Sequence, residues 1–255
     1  MIKYLFIMIL LVTFSDCISQ ATTNPKPTIC ILGGTPSSAK ILDEIPADLK
    51  ERYNFISFNR PGFGGTPNEV WDEKRLFEIA LQVGLKENDF AVIGVSGGGP
   101  LAILLASHFR LQHCGIISGM VPAKEYFAYA DFTFTKSLMH SAVGSYDDFK
   151  KTIKSFPNVE QILQQAESPL PAAIRACYDD LHFILTGIKF KKRVFRKLKP
   201  DWLHGENDQN VALKSAQLFL SKFKNANLTV LYGKNHAIDA RILVRQLIGS
   251  WEEMK

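Results

Sequence analysis

Ser96 stands in Gly94-Val95-Ser96-Gly97-Gly98, between the apolar run 90–93 and a second one at 99–106. A strand, a tight turn and a helix with serine at the turn form a nucleophile elbow, which lifts the hydroxyl clear of the sheet. Side chains two residues before and after the serine would collide in so sharp a turn, hence Gly94 and Gly98. Pro100 fits the first helical turn, where a missing N–H costs nothing. A serine hydroxyl is a poor nucleophile until a base takes its proton, and the base needs an acid to orient it. His236 follows the last apolar strand in Tyr232-Gly233-Lys234-Asn235-His236, and is the only histidine after a strand near the C-terminus. His108 lies on the helix after the elbow, His113 opens a strand, His140 and His182 lie in a helical stretch, and His204 precedes an acidic loop. That loop, Gly205-Glu206-Asn207-Asp208, supplies Asp208 and Glu206 as acids, and Asp239 lies close to His236 in sequence. No metal-ligand spacing appears among the four cysteines.

These residues need a frame to bring them together. Apolar strand patterns at 28–32, 53–58, 90–93, 113–118, 202–203 and 228–232 alternate with helical patterns at 38–42, 72–83, 99–106, 212–224 and 240–251. Such alternation predicts an α/β fold with a doubly wound, mostly parallel sheet covered on both faces. Loops at the carboxyl ends of its strands then hold the site. The stretch 122–199 breaks the alternation. Ser145 is placed to cap a helix from Tyr146, Pro157 to end it and Asn158 to cap another; a third spans 171–185 and a basic one follows. This reads as a helical cap inserted between two strands.

At 255 residues the chain is long enough for one large α/β domain with an insertion. Its net charge of +5 is too mild to imply a nucleic-acid partner. Lys3 followed by the apolar run 4–14, with small residues at Ser19 and Ala21, matches a signal peptide over 1–21 and a secreted or envelope location. Cys17 offers lipid anchoring as an alternative, although Asp16 stands where a small residue is expected; an uncleaved tether is a third option. Residues 22–27 read as a short linker. Cys30 and Cys114 lie in apolar strands and read as core, while Cys177 lies in a helical stretch.

Four motifs in order resemble the α/β-hydrolase family with a helical cap. Gly33-Gly34-Thr35-Pro36-Ser37-Ser38 is similar to its His-Gly-x-Pro-Gly-Ser loop, and Asn59-Arg60-Pro61-Gly62-Phe63-Gly64-Gly65-Thr66 to its Asp-x-Pro-Gly-x-Gly-x-Ser turn. The elbow at 94–100 is the third, and the strand end at 204–208 the fourth. The resemblance covers about 28–120 and 200–250. Gly33 and Asn59 depart from the family's histidine and aspartate, and the usual N-terminal hairpin is missing, leaving about six strands. The division implied is 22–121 core, 122–199 cap and 200–255 core. By this resemblance Ser96 is the nucleophile, His236 the base and Asp208 the acid, in the family's order. The N–H groups of Gly97 and Thr35 then form the oxyanion hole. The implied function is cofactor-free hydrolysis of a small ester-like or amide-like acyl substrate through an acyl-enzyme. An elbow serine argues against the family's haloalkane dehalogenases and epoxide hydrolases, which use aspartate there. An aminopeptidase of the prolyl iminopeptidase type is an alternative, although its His-Gly-Gly-Pro-Gly is absent. A non-catalytic ligand-binding protein on the same fold is another.

Two stretches of the cap carry further expectations. The aromatic run Tyr126, Phe127, Tyr129, Phe132 and Phe134 could wall an acyl pocket or pack the cap on the core. The basic run from Lys189 to Lys199, with Phe190, Val194, Phe195 and Leu198 among its cations, could lie on an anionic membrane or form a solvated face.

Overall fold

The computed structural model describes residues 26–130, 133–236 and 239–253. The signal-peptide reading, Cys17 and Phe132 fall outside these residues.

Among the described residues, six strands form one all-parallel sheet. They are β1 (Thr28–Leu32), β2 (Asn54–Ile56), β3 (Phe90–Val95), β4 (Cys114–Ile117), β5 (Asp201–Gly205) and β6 (Asn227–Leu231), in the order β2-β1-β3-β4-β5-β6. The core helices before the insertion are α1 (Ala47–Arg52), α2 (Glu73–Gln82) and α3 (Gly98–His108). Within the insertion lie α4 (Ala123–Tyr129), α5 (Thr133–Val143), α6 (Tyr146–Lys154), α7 (Val159–Leu163), α8 (Leu170–His182) and α9 (Lys192–Lys197). After it come α10 (Leu213–Leu220) and α11 (Ala240–Glu252).

Alternate side chains of each strand enter two separate cores, as the period-two pleat requires. Ile29, Ile31, Ile93, Ile117 and Leu203 pack with Leu49 of α1 and Leu243, Leu247 and Trp251 of α11. Cys30, Leu32, Val92, Cys114 and Ile116 pack on the other face with α2, α3 and Phe219 of α10. Burial on both faces explains why the strands are nearly continuous apolar runs. Helix α3 is buried from Gly98 to Ala106, which accounts for its lack of a polar stripe.

β1 pairs with β2 on one side and β3 on the other, so the strand order reverses beside it. Such a reversal opens a crevice at the carboxyl ends. The β1–β3 register sets Leu32 opposite Gly94, and thus the loop at 33–38 beside the elbow.

The insertion leaves the sheet after β4 and re-enters at β5, two strands paired through Ile117 and Leu203. Ser145 caps α6 by accepting from the Asp148 N–H at 3.2 Å. The cap expected at Asn158 does not form. This residue is left-handed, at φ +60°, and makes no side-chain cap bond; it turns the chain, a conformation asparagine tolerates. The helix expected at 38–42 is a 3₁₀ turn at Ala39–Glu44, started by Ser38, whose hydroxyl accepts from the Lys40 N–H. Helix α1 has no counterpart in the apolar patterning, because it buries a single apolar residue, Leu49.

The basic run does not present an apolar face outward. Its helix has six residues, with Val194 and Leu198 buried. Phe190 and Phe195 pack on Phe219, and Phe195 also meets Phe223 edge-on. Those rings pack inward, and the lysines and arginines of the run are exposed. Among the described residues no helix is long and apolar enough to cross a membrane.

Candidate active site

Ser96 adopts φ +48°, a left-handed conformation that non-glycine residues rarely hold. Surrounding bonds hold it there. Its N–H donates to the Ile117 carbonyl at 2.9 Å, and its carbonyl accepts from the N–H groups of Gly99 and Met120, each at 2.9 Å. The flanking glycines are required by space. A Cβ at Gly94 would lie 2.4 Å from the Gly98 carbonyl oxygen, and one at Gly98 2.2 Å from that of Leu32.

The structure brings His236 and Asp208 to this serine. His236 Nε2 lies 2.9 Å from Ser96 Oγ, and Nδ1 lies 2.8 Å from Asp208 Oδ2. Asp208 follows β5, and its other oxygen, Oδ1, accepts from the backbone N–H groups of Asn210 and Val211, each at 2.9 Å. The carboxylate is thus buried, held by its own loop and aimed at the imidazole.

His204 braces that loop from below. Trp202 Nε1 donates to its Nδ1 at 3.0 Å, so the ring's proton sits on Nε2 and donates to the Val211 carbonyl at 2.8 Å. Asp208 Oδ2 is 3.3 Å from the same nitrogen. Burial holds the His204 pKa below the ordinary histidine value, which favours this neutral form.

The competing groups are engaged elsewhere. Glu206 accepts from the Gly233 N–H at 3.0 Å. Asp239 caps α11 and pairs with Arg241. His108 stacks on Phe77, His113 on Trp251 and His140 on Phe127, and His182 bonds the Ala142 carbonyl.

Thr35 and Gly97 lie in contact. A Cβ at Gly97 would stand 2.5 Å from Thr35 Oγ1 and 3.2 Å from Thr35 N, and one at Gly34 would stand 3.1 Å from Ser96 Cβ. Gly97 precedes the first residue of α3, where free N–H groups and the helix dipole favour negative charge.

Sequence reasoning missed a buried group behind Thr35. Arg60, from the loop after β2, pairs with Asp180 of α8 at 2.8 Å, with side chains 4% and 1% exposed. Trp71 Nε1 donates to Asp180 Oδ1 at 3.0 Å, and the Thr35 hydroxyl donates to Oδ2. Burial pushes the Asp180 carboxyl above its ordinary value, while Arg60 pulls it back. The signal was a carboxylate on the apolar stripe of a helix, one turn from Ala176 and Cys177.

A cavity of about 300 Å³ opens at Ser96 and His236 beneath the cap. Its walls include Met120, Leu138, Met139, Ile153, Leu163 and Leu181, and no Lys, Arg, Asp or Glu among the described residues. Tyr126, Phe127 and Tyr129 of the aromatic run are not among its described walls. Tyr126 is buried and donates to the Asn210 carbonyl, and Phe127 stacks on His140. Ser215 of α10 bonds the Tyr126 carbonyl, so α4 spends this face on docking the cap to the core. A larger cleft of about 810 Å³, between residues 68–74 and α8, shares no lining residue with the cavity at Ser96.

No family model and no curated protein matches the chain in sequence. Solved structures do match in shape. An esterase from Thermogutta terrifontis superposes with a TM-score of 0.61 at 14% identity, covering 91% of each chain. An epoxide hydrolase from metagenomes of hot environments gives 0.64 at 13%, over 88% of this chain and 90% of the other. The 2-hydroxy-6-oxo-6-phenylhexa-2,4-dienoate hydrolase of Rhodococcus sp. strain RHA1 gives 0.61 at 16%, covering 89% of each. With its six parallel strands in this order and a helical segment inserted after β4, the chain has the α/β-hydrolase fold.

Proposed function

We propose that the protein is a serine hydrolase that transfers the apolar acyl group of an ester to Ser96 and then to water. The observation that carries this reading is the hydrogen-bonded series Ser96–His236–Asp208, at 2.9 and 2.8 Å, on the elbow. In it Ser96 Oγ attacks the ester carbonyl carbon as His236 Nε2 takes the hydroxyl proton. The carbonyl electron pair moves to oxygen, and the N–H groups of Gly97 and Thr35 donate to it. His236 then gives its proton to the departing alkoxide as the C–O bond breaks. Water, deprotonated by the same nitrogen, releases the acid from the acyl-enzyme. Asp208 stays ionised and stabilises the imidazolium formed in each half.

The cavity supports an uncharged acyl group. Its described walls offer no counter-ion for an ammonium or a carboxylate, which weighs against the aminopeptidase alternative. Its volume holds about ten groups the size of a water, at about 30 Å³ each. Hydrolysis of p-nitrophenyl esters from acetyl to palmitoyl is therefore expected to peak at chains of about eight to ten carbons. On the rising limb kcat/KM should increase about fourfold per methylene, from about 0.8 kcal/mol each. A flat profile, or absence of turnover on every ester, rejects this reading.

Export is part of the same proposal and rests on residues 1–21 alone. Protein isolated from its native host should begin near Thr22 on N-terminal sequencing. A chain beginning at Met1 in the cytosol rejects export, and one beginning at a lipid-modified Cys17 replaces secretion by anchoring.

A further inference from the structure

The geometry points to Arg60 and Asp180 as positioning residues that lock the Gly34–Thr35 peptide with its N–H turned into the oxyanion site, so that docking of the cap sets the competence of the hole. This rests on the serine-hydrolase reading above.

The decisive contact is to a carbonyl. Arg60 Nη2 donates to the Gly34 carbonyl at 2.5 Å, while Nη1 of the same guanidinium donates to Asp180 Oδ2 at 2.8 Å. The Gly34 C=O and the Thr35 N–H belong to one planar trans peptide, in which they point in opposite directions. Anchoring the carbonyl toward Arg60 therefore aims the N–H away from Arg60. The facing segment is the elbow, within 3.2 Å of Thr35 N at the Gly97 Cβ position. Rotating this peptide by half a turn would present a carbonyl to the developing negative charge in place of a donor.

The rotation would turn ψ of Gly34, which has no Cβ to resist it, together with φ of Thr35, and the observed orientation has an external hold. Three groups supply it. Arg60 grips the carbonyl, Asp180 binds the Thr35 hydroxyl, and Trp71 fixes the second Asp180 oxygen. Arg60 also lies over the Phe63 ring, 5.0 Å from its centroid, which fixes the guanidinium plane. A lysine could not hold the carbonyl and carboxylate as one rigid fork. Of these groups, Asp180 is the one that the cap contributes. A buried ion pair is weak evidence for stability, because desolvation offsets the attraction. Its place behind the oxyanion peptide gives it a different use.

The double variant Arg60→Met/Asp180→Asn tests this. It leaves no unpaired charge and keeps an acceptor for Trp71, but removes the donor to the Gly34 carbonyl. Arg60→Lys is the milder second variant. Melting temperature, kcat, KM and inhibition by a trifluoromethyl ketone, whose hemiketal oxyanion mimics the intermediate, are measured for each. The expected result in the double variant is a kcat about tenfold to a hundredfold lower, short of deleting a donor outright, with KM within twofold. Inhibitor affinity should weaken by the same factor as kcat/KM. Arg60→Lys should show the same pattern with a smaller loss. The inference is overturned if either variant, folded, keeps wild-type kcat and inhibitor affinity, or raises KM alone. If the double variant does not fold, Arg60→Lys decides. Wild-type and Ser96→Ala enzymes in the same assay keep the two readings apart: absent wild-type turnover strikes the serine mechanism and this inference with it, whereas a wild type that turns over beside unaffected Arg60 variants strikes this inference alone.

Discussion

Ser96→Ala is expected to lower kcat on esters by about five to six orders of magnitude, the scale seen when a nucleophile that acts with a base is removed. Binding should change little, because a single hydroxyl is removed and the apolar walls of the cavity are untouched. Stability should also be nearly unchanged, since the hydroxyl's bond is to the part-buried His236. Alanine must adopt the same left-handed conformation, but the backbone bonds to Ile117, Gly99 and Met120 remain to hold it. Labelling by a fluorophosphonate probe, strong in the wild type, should vanish. Turnover near the wild-type rate in a folded Ser96→Ala protein would reject the mechanism. A wild type that neither labels nor turns over would leave a ligand-binding protein on this fold.

The second large effect is expected at the acid. Asp208→Asn should cost about 10⁴ in kcat, and the loop geometry says why. Oδ1 accepts from two backbone N–H groups, so the asparagine carbonyl must stay on that side. The amide nitrogen is then forced to the side facing His236 Nδ1. It can only donate there, which moves the ring proton to Nε2 and leaves no lone pair for the serine proton. Glu206→Gln, two residues away and bonded to Gly233, should lose less than a factor of two. Reversed results, with Glu206→Gln crippled and Asp208→Asn active, would show that the acid was assigned to the wrong carboxylate. The assignments of Ser96 and His236 would survive.

The amino-acid sequence makes legible whatever is written in local chemistry. Gly94, Ser96 and Gly98 fall within one short turn whose steric demands stand on their own, and the β1 loop follows directly from its strand. The sheet is equally legible, because strands buried on both faces are apolar throughout. Helix α1 is hidden for the opposite reason, having one buried apolar residue to show. The readings left open cluster in the insertion. Tyr126 and Phe127 have the chemistry of a pocket wall, but an aromatic can pack on a neighbouring helix as well as on a substrate, and only the position of α10 decides. The phenylalanines of the basic run meet the same ambiguity at Phe219. Arg60 and Asp180 are 120 residues apart, and nothing in either neighbourhood names the other. The stripe of α8 raises the question of a partner without answering it.

The paired strands on either side of the insertion have an evolutionary corollary. Because β4 and β5 are adjacent parallel strands, the inserted segment leaves at the carboxyl edge after Ile117 and returns at the amino edge before Asp201, and the ladder between the two strands is complete without it. A lineage can lengthen, shorten or exchange the whole segment without disturbing the ladder, so acyl preference can drift as a cassette while the chemistry stays fixed. Asp180 limits that freedom. Any replacement segment must return a carboxylate to the Arg60 guanidinium, or leave a buried cation stranded behind the threonine loop.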